Sequence, residues 1–322
     1  MRAALAFAAA LGAAALAAAS ALPAPAAAAP RLIIRHAAMS IAVVPEPRSD
    51  IAVQVWRPNA RLPLVVRRVG GDVVIDGRLL SFLTRCHGSG QNLRVSVFGR
   101  GDFGIAQMPQ VLARVPMDAA IASDGAVHGV VARSFGLALD ASGCGDWTVA
   151  NVAGPLGANV SGVGDVRTGA SKSADVSLSG TGRLSVGPVQ GRFVARLSGA
   201  GSIAVRAAGS ADIGISGTGG LSTGPIAGPL RAQLSGAGSL KTASVDGPVT
   251  ADVSGVGHVV IAGGHAPSLS ADVSGTGSIV FRGVADSLDA RVSGVGSVEA
   301  ARVTGRVDQH VSGVGSVRVD SR

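Results

Sequence analysis

A pair of carboxylates is the first feature of this sequence that points to chemistry. Asp252 and Asp272 occupy the same position in two neighbouring copies of a repeated pattern. If each copy forms one coil of a stacked β-structure, the two side chains lie about 5 Å apart, close enough to couple their titrations or to hold a cation. Polysaccharide lyases and hydrolases built from such coils use clustered carboxylates on one outer face. A carbohydrate-active enzyme is therefore one interpretation, and a pair of solvated surface carboxylates is the ordinary one.

Two further patterns that could belong to an enzyme have simpler explanations. The segment from Gly220 to Gly224 matches the G-x-S-x-G nucleophile elbow, but that motif needs a strand-to-helix turn with a histidine and an acid nearby, and here it falls inside a repeat. The histidines share neither a column of the repeat nor a metal-ligand spacing; they are His36, His87, His128, His258, His265 and His310. We therefore predict no catalytic residues, no metal site and no cofactor.

The elements that position these residues follow from a tetrapeptide, Ser-Gly-x-Gly, that recurs ten times at intervals of 18 to 20 residues. Periods of this length are typical of solenoids rather than of ordinary globular cores. The motif serines are Ser142, Ser161, Ser179, Ser198, Ser216, Ser235, Ser254, Ser274, Ser293 and Ser312.

The residues on either side of each serine alternate with the two-residue period of a strand. The positions one and three before the serine are almost purely apolar, as with Val176 and Leu178 before Ser179, while the position between them is mostly polar. A second apolar column lies five residues after the serine, as with Leu184. Two inward faces in each repeat indicate a closed coil.

A helical interpretation fails because the apolar runs are short, β-branched residues dominate, and each glycine would cost about 0.5–1 kcal/mol in a helix interior. We predict an all-β fold, a parallel β-helix of about 19-residue coils that is right-handed by the general crossover rule. The two glycines of each motif would allow a sharp corner or a close approach of adjacent coils. The motif serines would form a structural column whose hydroxyls bond the backbone of the turn or a neighbouring coil.

Three regions are predicted along the chain. Residues 1–28 combine Arg2, an Ala/Leu-rich run and an A-x-A cleavage pattern, and are interpreted as a secretory signal peptide. Residues 31–110 lack the repeat but keep strand-like alternation, which predicts a β-rich cap that protects the end of the solenoid. Residues 111–322 form the β-helix, in which Ser123-Asp-Gly125, one period before Ser142, is interpreted as a degenerate first coil.

The chain resembles the bacterial auto-transporter adhesin head domains known as GIN domains. The resemblance rests on a signal peptide, a β-rich lead-in, the strand Val115-Pro116-Met117-Asp118 and then serial Ser-Gly-x-Gly coils, and it covers most of residues 40–320. It implies a β-helical fold and no particular functional residues, because that family has no settled biochemical role. This chain has more coils than one such domain is expected to have.

Cysteine content and charge agree with export. Cys86 and Cys144 are an even pair, and in an oxidising compartment a disulfide between them would tie the cap to the first motif corner; two free thiols are the alternative. The formal net charge of +8 is spread over both halves of the chain, and only 3% of residues are aromatic. A nucleic-acid partner is not expected from such a surface. The N-terminal apolar run is too short and too alanine-rich for a membrane span, and no other stretch reaches about 18 consecutive apolar residues.

These observations favour an exported, non-enzymatic β-solenoid for adhesion, binding or scaffolding in the bacterial cell envelope, located in the periplasm, on the cell surface or outside the cell. Its partner would be an envelope polymer or protein of unknown identity. In the last coil Gln309 and His310 replace the usual residues, which predicts self-association or docking through that coil. The alternative is the carbohydrate-active β-helix enzyme.

Overall fold

The computed structural model describes residues 29–79, 83–88 and 90–321, and these are all-β, with two short 3-10 turns and no α-helix. The signal-peptide prediction for residues 1–28 lies outside the described residues. In chain order the strands are β1 Arg31–Glu46, β2 Ala52–Arg57, β3 Val65–Val69, β4 Asp72–Asp76, β5 Leu83–His87, β6 Arg94–Val97, β7 Gly101–Gly104, β8 Gln110–Pro116, β9 Asp118–Val131, β10 Gly136–Ala141, β11 Cys144–Val149, β12 Pro155–Val160, β13 Val163–Thr168, β14 Ser173–Leu178, β15 Arg183–Leu197, β16 Ser202–Ile215, β17 Gly220–Ile226, β18 Leu230–Leu234, β19 Ser239–Asp246, β20 Val249–Val253, β21 His258–Ile261, β22 Gly264–Ala266, β23 Leu269–Val273, β24 Ser278–Ala285, β25 Leu288–Val292, β26 Ser297–Val303, β27 Val307–Val311 and β28 Ser316–Ser321.

The strands stack into a parallel β-solenoid of about 11 turns with a spacing of about 19 residues, which confirms the predicted fold. Strands that precede a Ser-Gly-x-Gly corner pair with one another in one sheet, called sheet 1, as β10 does with β12 and β18 with β20. Strands that follow a corner form sheet 2, as β11 does with β13 and β24 with β26. The four long strands β1, β9, β15 and β16 contribute to both sheets. The hand of the coil stays a prediction.

The core contains the two predicted inward faces, one from each sheet, and a third inward column that the sequence analysis did not identify. This third column lies on the short side that returns from sheet 2 to sheet 1, ten to twelve residues after the motif serine. Its apolar members are each at most 4% exposed: Val152, Val189, Ala208, Ile226, Val245, Ala266, Ala285 and Val303. Ser134 and Ser171 take the equivalent positions near the N-terminal end, and their buried hydroxyls have no hydrogen-bond partner among the described residues.

The glycines of the corners are required by close approach between coils. A Cβ at Gly236 would collide with the backbone of Ser216 and with the carbonyl oxygen of Gly217, one coil away. Gly143, in the first motif, faces the backbone of Gly125 in the same way and in addition has a φ of +87°. Adjacent corners therefore stack backbone against backbone, and only glycine leaves room for this.

At the N-terminal end the strand order departs from the chain order. The first half of β1 lies between β4 and β9 in sheet 1, and its second half lies between β8 and β9 in sheet 2. The antiparallel strands β3 and β2 then cover the outer sides of β4 and β8. Strand pairing thus continues across residue 110, and β2 and β3 occupy the edges that a solenoid would otherwise expose.

A small side lobe, formed by the antiparallel sheet β5-β6-β7, packs on the outer wall of sheet 2. Its apolar residues Leu93, Val95 and Phe103 share one buried cluster with Ala38 and Ala126 of the wall. A disulfide joins Cys86 of the lobe to Cys144 of the first motif corner, with 6.3 Å between their Cα atoms. We call the coils formed by β1, β4 and β8–β13 the first coils, and those formed by β14–β28 the later coils.

Candidate functional site

The motif serines lie where the repeat predicts them, at exposed corners. The Ser142 hydroxyl donates a hydrogen bond of 3.0 Å to the Ser123 carbonyl of the neighbouring coil, and the Ser254 hydroxyl donates one of 3.4 Å to the Leu234 carbonyl. These contacts tie a corner to the strand beneath it, which is a structural role.

Asp252 and Asp272 are direct partners in the register of β20 and β23, as the stacking interpretation requires. The nearest basic residue of the same column, Arg291, forms its ion pair with Asp289 instead, at 2.8 Å. Within the described residues no group of three or more histidine, cysteine, aspartate or glutamate side chains is arranged to hold a metal ion. The two carboxylates are therefore an isolated pair on the outer face of sheet 1.

The segment Gly220 to Gly224 is part of β17, which lies between β16 and β19. Ser222 is exposed on the outside of this strand. A nucleophile elbow is a strand-to-helix turn, and this segment is continuous strand, so it does not form one.

Ionisable and polar side chains converge instead at the N-terminal end of sheet 1. A cleft of about 630 Å³ opens there on outward residues of β1, β9, β10 and β12. We call it the N-terminal cleft and define it by six of the polar residues that line it, which are Arg31, Arg35, His36, Asp124, Asp140 and Asn159.

The cleft lies where the column of motif serines is interrupted. Because Ala141 pairs with Ser123 and Cys144 pairs with Ala126, the residue opposite Ser142 is Asp124. The interpretation that made Ser123 the equivalent of Ser142 is wrong by one residue, since Ser123 points into the core and is 4% exposed.

His36 lies beside Asp124, with 3.5 Å between its Nε2 and the Asp124 Oδ2. It has a φ of +48° at the point where the register of β1 and β9 shifts between Ile34 and Ala37. This irregularity in the backbone places the imidazole on the wall of the N-terminal cleft.

A short chain of hydrogen bonds forms the wall opposite. The Asn159 side-chain amide donates to Asp140 Oδ1 at 2.7 Å, and the Ser177 hydroxyl donates to Asn159 Oδ1 at 2.7 Å. The second oxygen of Asp140 accepts no hydrogen bond from the described residues. This wall therefore offers an oxygen acceptor that is held in place by its neighbours.

Arg31 and Arg35 differ from the arginines further along the same face. The guanidinium of Arg192 is 3.0 Å from Asp212, and that of Arg196 is 3.2 Å from Asp175. Arg31 and Arg35 are exposed, and neither guanidinium group forms an ion pair with a carboxylate of the described residues; the backbone amide of Arg31 donates a hydrogen bond of 2.8 Å to Asp72 Oδ1. The N-terminal cleft thus contains two guanidinium groups that are free to meet an anion.

A second titratable pair is buried under the side lobe. Asp146 is 3% exposed and accepts hydrogen bonds from the backbone amides of Asp165 and Gly90, the latter in the loop of the lobe. His128, its partner in the register, is 8% exposed, and its Nδ1 has no hydrogen-bond partner among the described residues. Burial lowers the pKa of His128, and the charge of Asp146 opposes that shift only in part.

Sequence reasoning did not find the N-terminal cleft, because its residues come from segments about 90 positions apart that meet only through the insertion of the first half of β1 between β4 and β9. The available signal was Asp124-Gly125, which replaces a Ser-Gly pair at the start of the repeat array.

The described part of the chain contains no helix with the length and hydropathy of a membrane span. Comparisons with protein-family models, with curated proteins and with solved structures found no match. The resemblance to GIN domains therefore stays a prediction that rests on the sequence motifs.

Proposed function

We propose that this chain is an exported, non-enzymatic module of the bacterial cell envelope that binds or scaffolds an envelope polymer or protein, in the manner of an adhesin. The observation that carries the proposal is a continuous exposed ridge along the corners of the solenoid. The ridge, which we call the corner ridge, consists of the motif serines together with the variable residues of the Ser-Gly-x-Gly motifs, Val163, Thr181, Ala200, Thr218, Ala237, Val256, Thr276, Val295 and Val314, all of them exposed.

The corner ridge is suited to an extended partner. Its residues are small, uncharged and repeated once per coil, so that a polymer or a regular surface meets the same contact many times. Many weak and identical contacts produce strong total binding when they are linked on one rigid body. The Cys86–Cys144 disulfide supports a location outside the reducing cytoplasm.

Co-sedimentation with intact envelope, isolated peptidoglycan and outer-membrane vesicles at low and high salt tests this proposal. We expect salt-resistant binding to one fraction, and its loss when Val256→Glu and Val295→Glu place charges on the corner ridge. The matched control is Val66→Glu with Val69→Glu, since these valines of β3 are 40% and 64% exposed but lie off the ridge. If the chain binds none of the three fractions at high salt, the proposal is contradicted.

The proposal includes self-association through the last coil. β27 and β28 each pair on one side only among the described residues, and Val311 and Val314 are 42% and 80% exposed. We expect a mass above that of the monomer in light scattering at high concentration, and a monomeric mass for Val311→Lys. A monomeric wild-type chain at high concentration would contradict this part alone.

A carbohydrate-active enzyme is the second candidate, because the N-terminal cleft brings His36, Asp124 and Asp140 together at a break in the repeat. Active sites commonly occupy such breaks. Incubation with acidic and neutral polysaccharides, followed by assay for new reducing ends, tests it. Cleavage by the wild-type chain that is abolished in Asp140→Asn would replace the non-enzymatic proposal.

A further inference from the structure

The outer face of sheet 1 carries a trough across the first coils. The N-terminal cleft adjoins a second hollow of about 550 Å³ on the same face, lined in part by Asp118, Asp175 and Arg192. Ala120, Ala138 and Gly157 are direct partners in the registers of β9, β10 and β12, and they form the floor between the polar walls. The trough is therefore a continuous surface with a flat floor of small residues.

Packing does not require a glycine at position 157 of this floor. A Cβ at this position would meet the Leu137 carbonyl oxygen at 3.8 Å, which is ordinary van der Waals contact, and its φ is not in the left-handed region. The corner glycines, in contrast, are enforced by the backbone of the neighbouring coil. The absence of a side chain at Gly157 leaves space on the outer surface without contributing to the fold.

The polar groups of the trough are complementary to a ligand that has both an anionic group and hydroxyl donors. The guanidinium groups of Arg31 and Arg35 form no ion pair with a carboxylate of the described residues, and guanidinium groups bind carboxylate and phosphate in a planar, two-point geometry. Asp140 and Asn159 present acceptor oxygens on the wall next to them. The flat floor accommodates the C–H face of a ring.

We propose that this trough binds a short segment of an acidic saccharide, with its carboxylate or phosphate against Arg31 and Arg35 and its hydroxyls donating to Asp140 and Asn159. The inference rests on the proposed binding function and names the ligand class of one site on the same molecule. A peptide strand added to the sheet edge does not fit here, because β3 already occupies the outer side of β4.

The test is isothermal titration of the full mature chain with trigalacturonate, glucose phosphate and neutral maltotriose. We expect binding of at least one acidic probe and weaker binding of maltotriose. The two acidic probes distinguish a carboxylate from a phosphate source. Arg35→Gln removes a charge-assisted contact and is expected to weaken acidic binding about tenfold or more. Equal binding of acidic and neutral probes, or no effect of Arg35→Gln, would overturn the inference.

A steric pair of variants keeps the test independent of charge. Gly157→Val fills the floor of the trough and is expected to abolish binding of the acidic probe. Gly214→Val is the matched control, because Gly214 is an outward glycine of sheet 1 in a later coil with nothing within 4 Å of its Cβ position. Thermal melting of both variants verifies the fold; loss of binding in Gly214→Val as well would count against the trough.

Co-sedimentation and probe titration of the wild-type chain together separate this inference from the proposed function. If the wild-type chain co-sediments with an envelope fraction at high salt but binds no acidic probe, the trough assignment fails and the role of the corner ridge stands. If it neither co-sediments nor binds a probe, both fail.

Discussion

The first coils and the later coils share one backbone arrangement but display different chemistry on it. At the corner the stacked column begins with His36 and Asp124 and then becomes an uninterrupted row of serines. In the third inward column Ser134 and Ser171 lie on either side of Val152, whereas Val189 and every later member are apolar. Among the described residues the two buried titratable side chains, His128 and Asp146, lie in the first coils, as do the disulfide and the side lobe.

This difference teaches which positions the solenoid constrains. The corner glycines and most inward positions of the two sheets are fixed by contact between coils and by packing, in both regions alike. Outward positions have no such restriction, so a change there alters the surface without altering the register. The first coils use that freedom to build the trough, whereas the later coils use it to repeat one surface.

The largest expected effect tests whether the corners of both regions are equally constrained. Gly236→Ala forces a Cβ into the backbone of the preceding coil and is expected to lower the free energy of unfolding by about 3 kcal/mol or more. In Gly143→Ala the same clash occurs, and the left-handed φ of this position lowers the free energy of unfolding by about a further 1–2 kcal/mol. Urea denaturation measures both. Gly214→Ala is the control and is expected to be neutral or slightly stabilising; equal stability of all three variants would refute the close-approach argument.

The next effect sharpens the contrast by removing the link that only the first coils have. The variant Cys86→Ala with Cys144→Val opens a loop with a sequence separation of 58 and is expected to cost about 2–4 kcal/mol. Valine is suited to position 144, because it occupies the same position of the motif at Val163. Hydrogen exchange should rise mainly in the side lobe. Alkylation of both cysteines in the unreduced wild-type chain would contradict the bond.

A pH-dependent effect is expected from the buried pair of the first coils. Because the folded-state pKa of His128 lies below its ordinary value of 6.5, the folded state resists protonation. Its contribution to stability is complete above that value and declines as the pH falls below it. Urea midpoints from about pH 7.5 to about pH 5 should therefore fall, and should fall less in His128→Gln. An identical decline in the variant would assign the effect to other groups.

The smallest effect is expected from a substitution that introduces a feature of the first coils into the later ones. Asp252→Asn turns a stack of two carboxylates into an amide–carboxylate stack like that of Asn159 on Asp140. Like charges directly opposite are destabilising, so a gain of a few tenths of a kcal/mol is expected. Differential scanning calorimetry at low salt measures it, and Asp289→Asn is the control, because Asp289 already has an arginine partner. Destabilisation by Asp252→Asn would show that the carboxylate is needed.

The repeat predicted the coils, the corners and two inward columns because each is a local pattern with a fixed spacing. The third column escaped because the return side varies in length, so that Ala266 and Ala285 are displaced from the position that Ile226 and Val245 occupy. The N-terminal cleft was not predicted from the sequence for a different reason. It depends on the first half of β1 pairing with β9, a contact between distant segments that periodicity does not encode.

The backbone contact between stacked corners makes the length of this molecule a modular quantity. Every later coil offers the next one the same surface, so that excision of residues 216–234 would join Ile215 to Ser235 and restore an equivalent junction. A lineage can therefore lengthen or shorten the corner ridge by whole coils through unequal recombination. The length of the corner ridge is therefore set by the number of later coils, and this number can change independently of the specialised first coils.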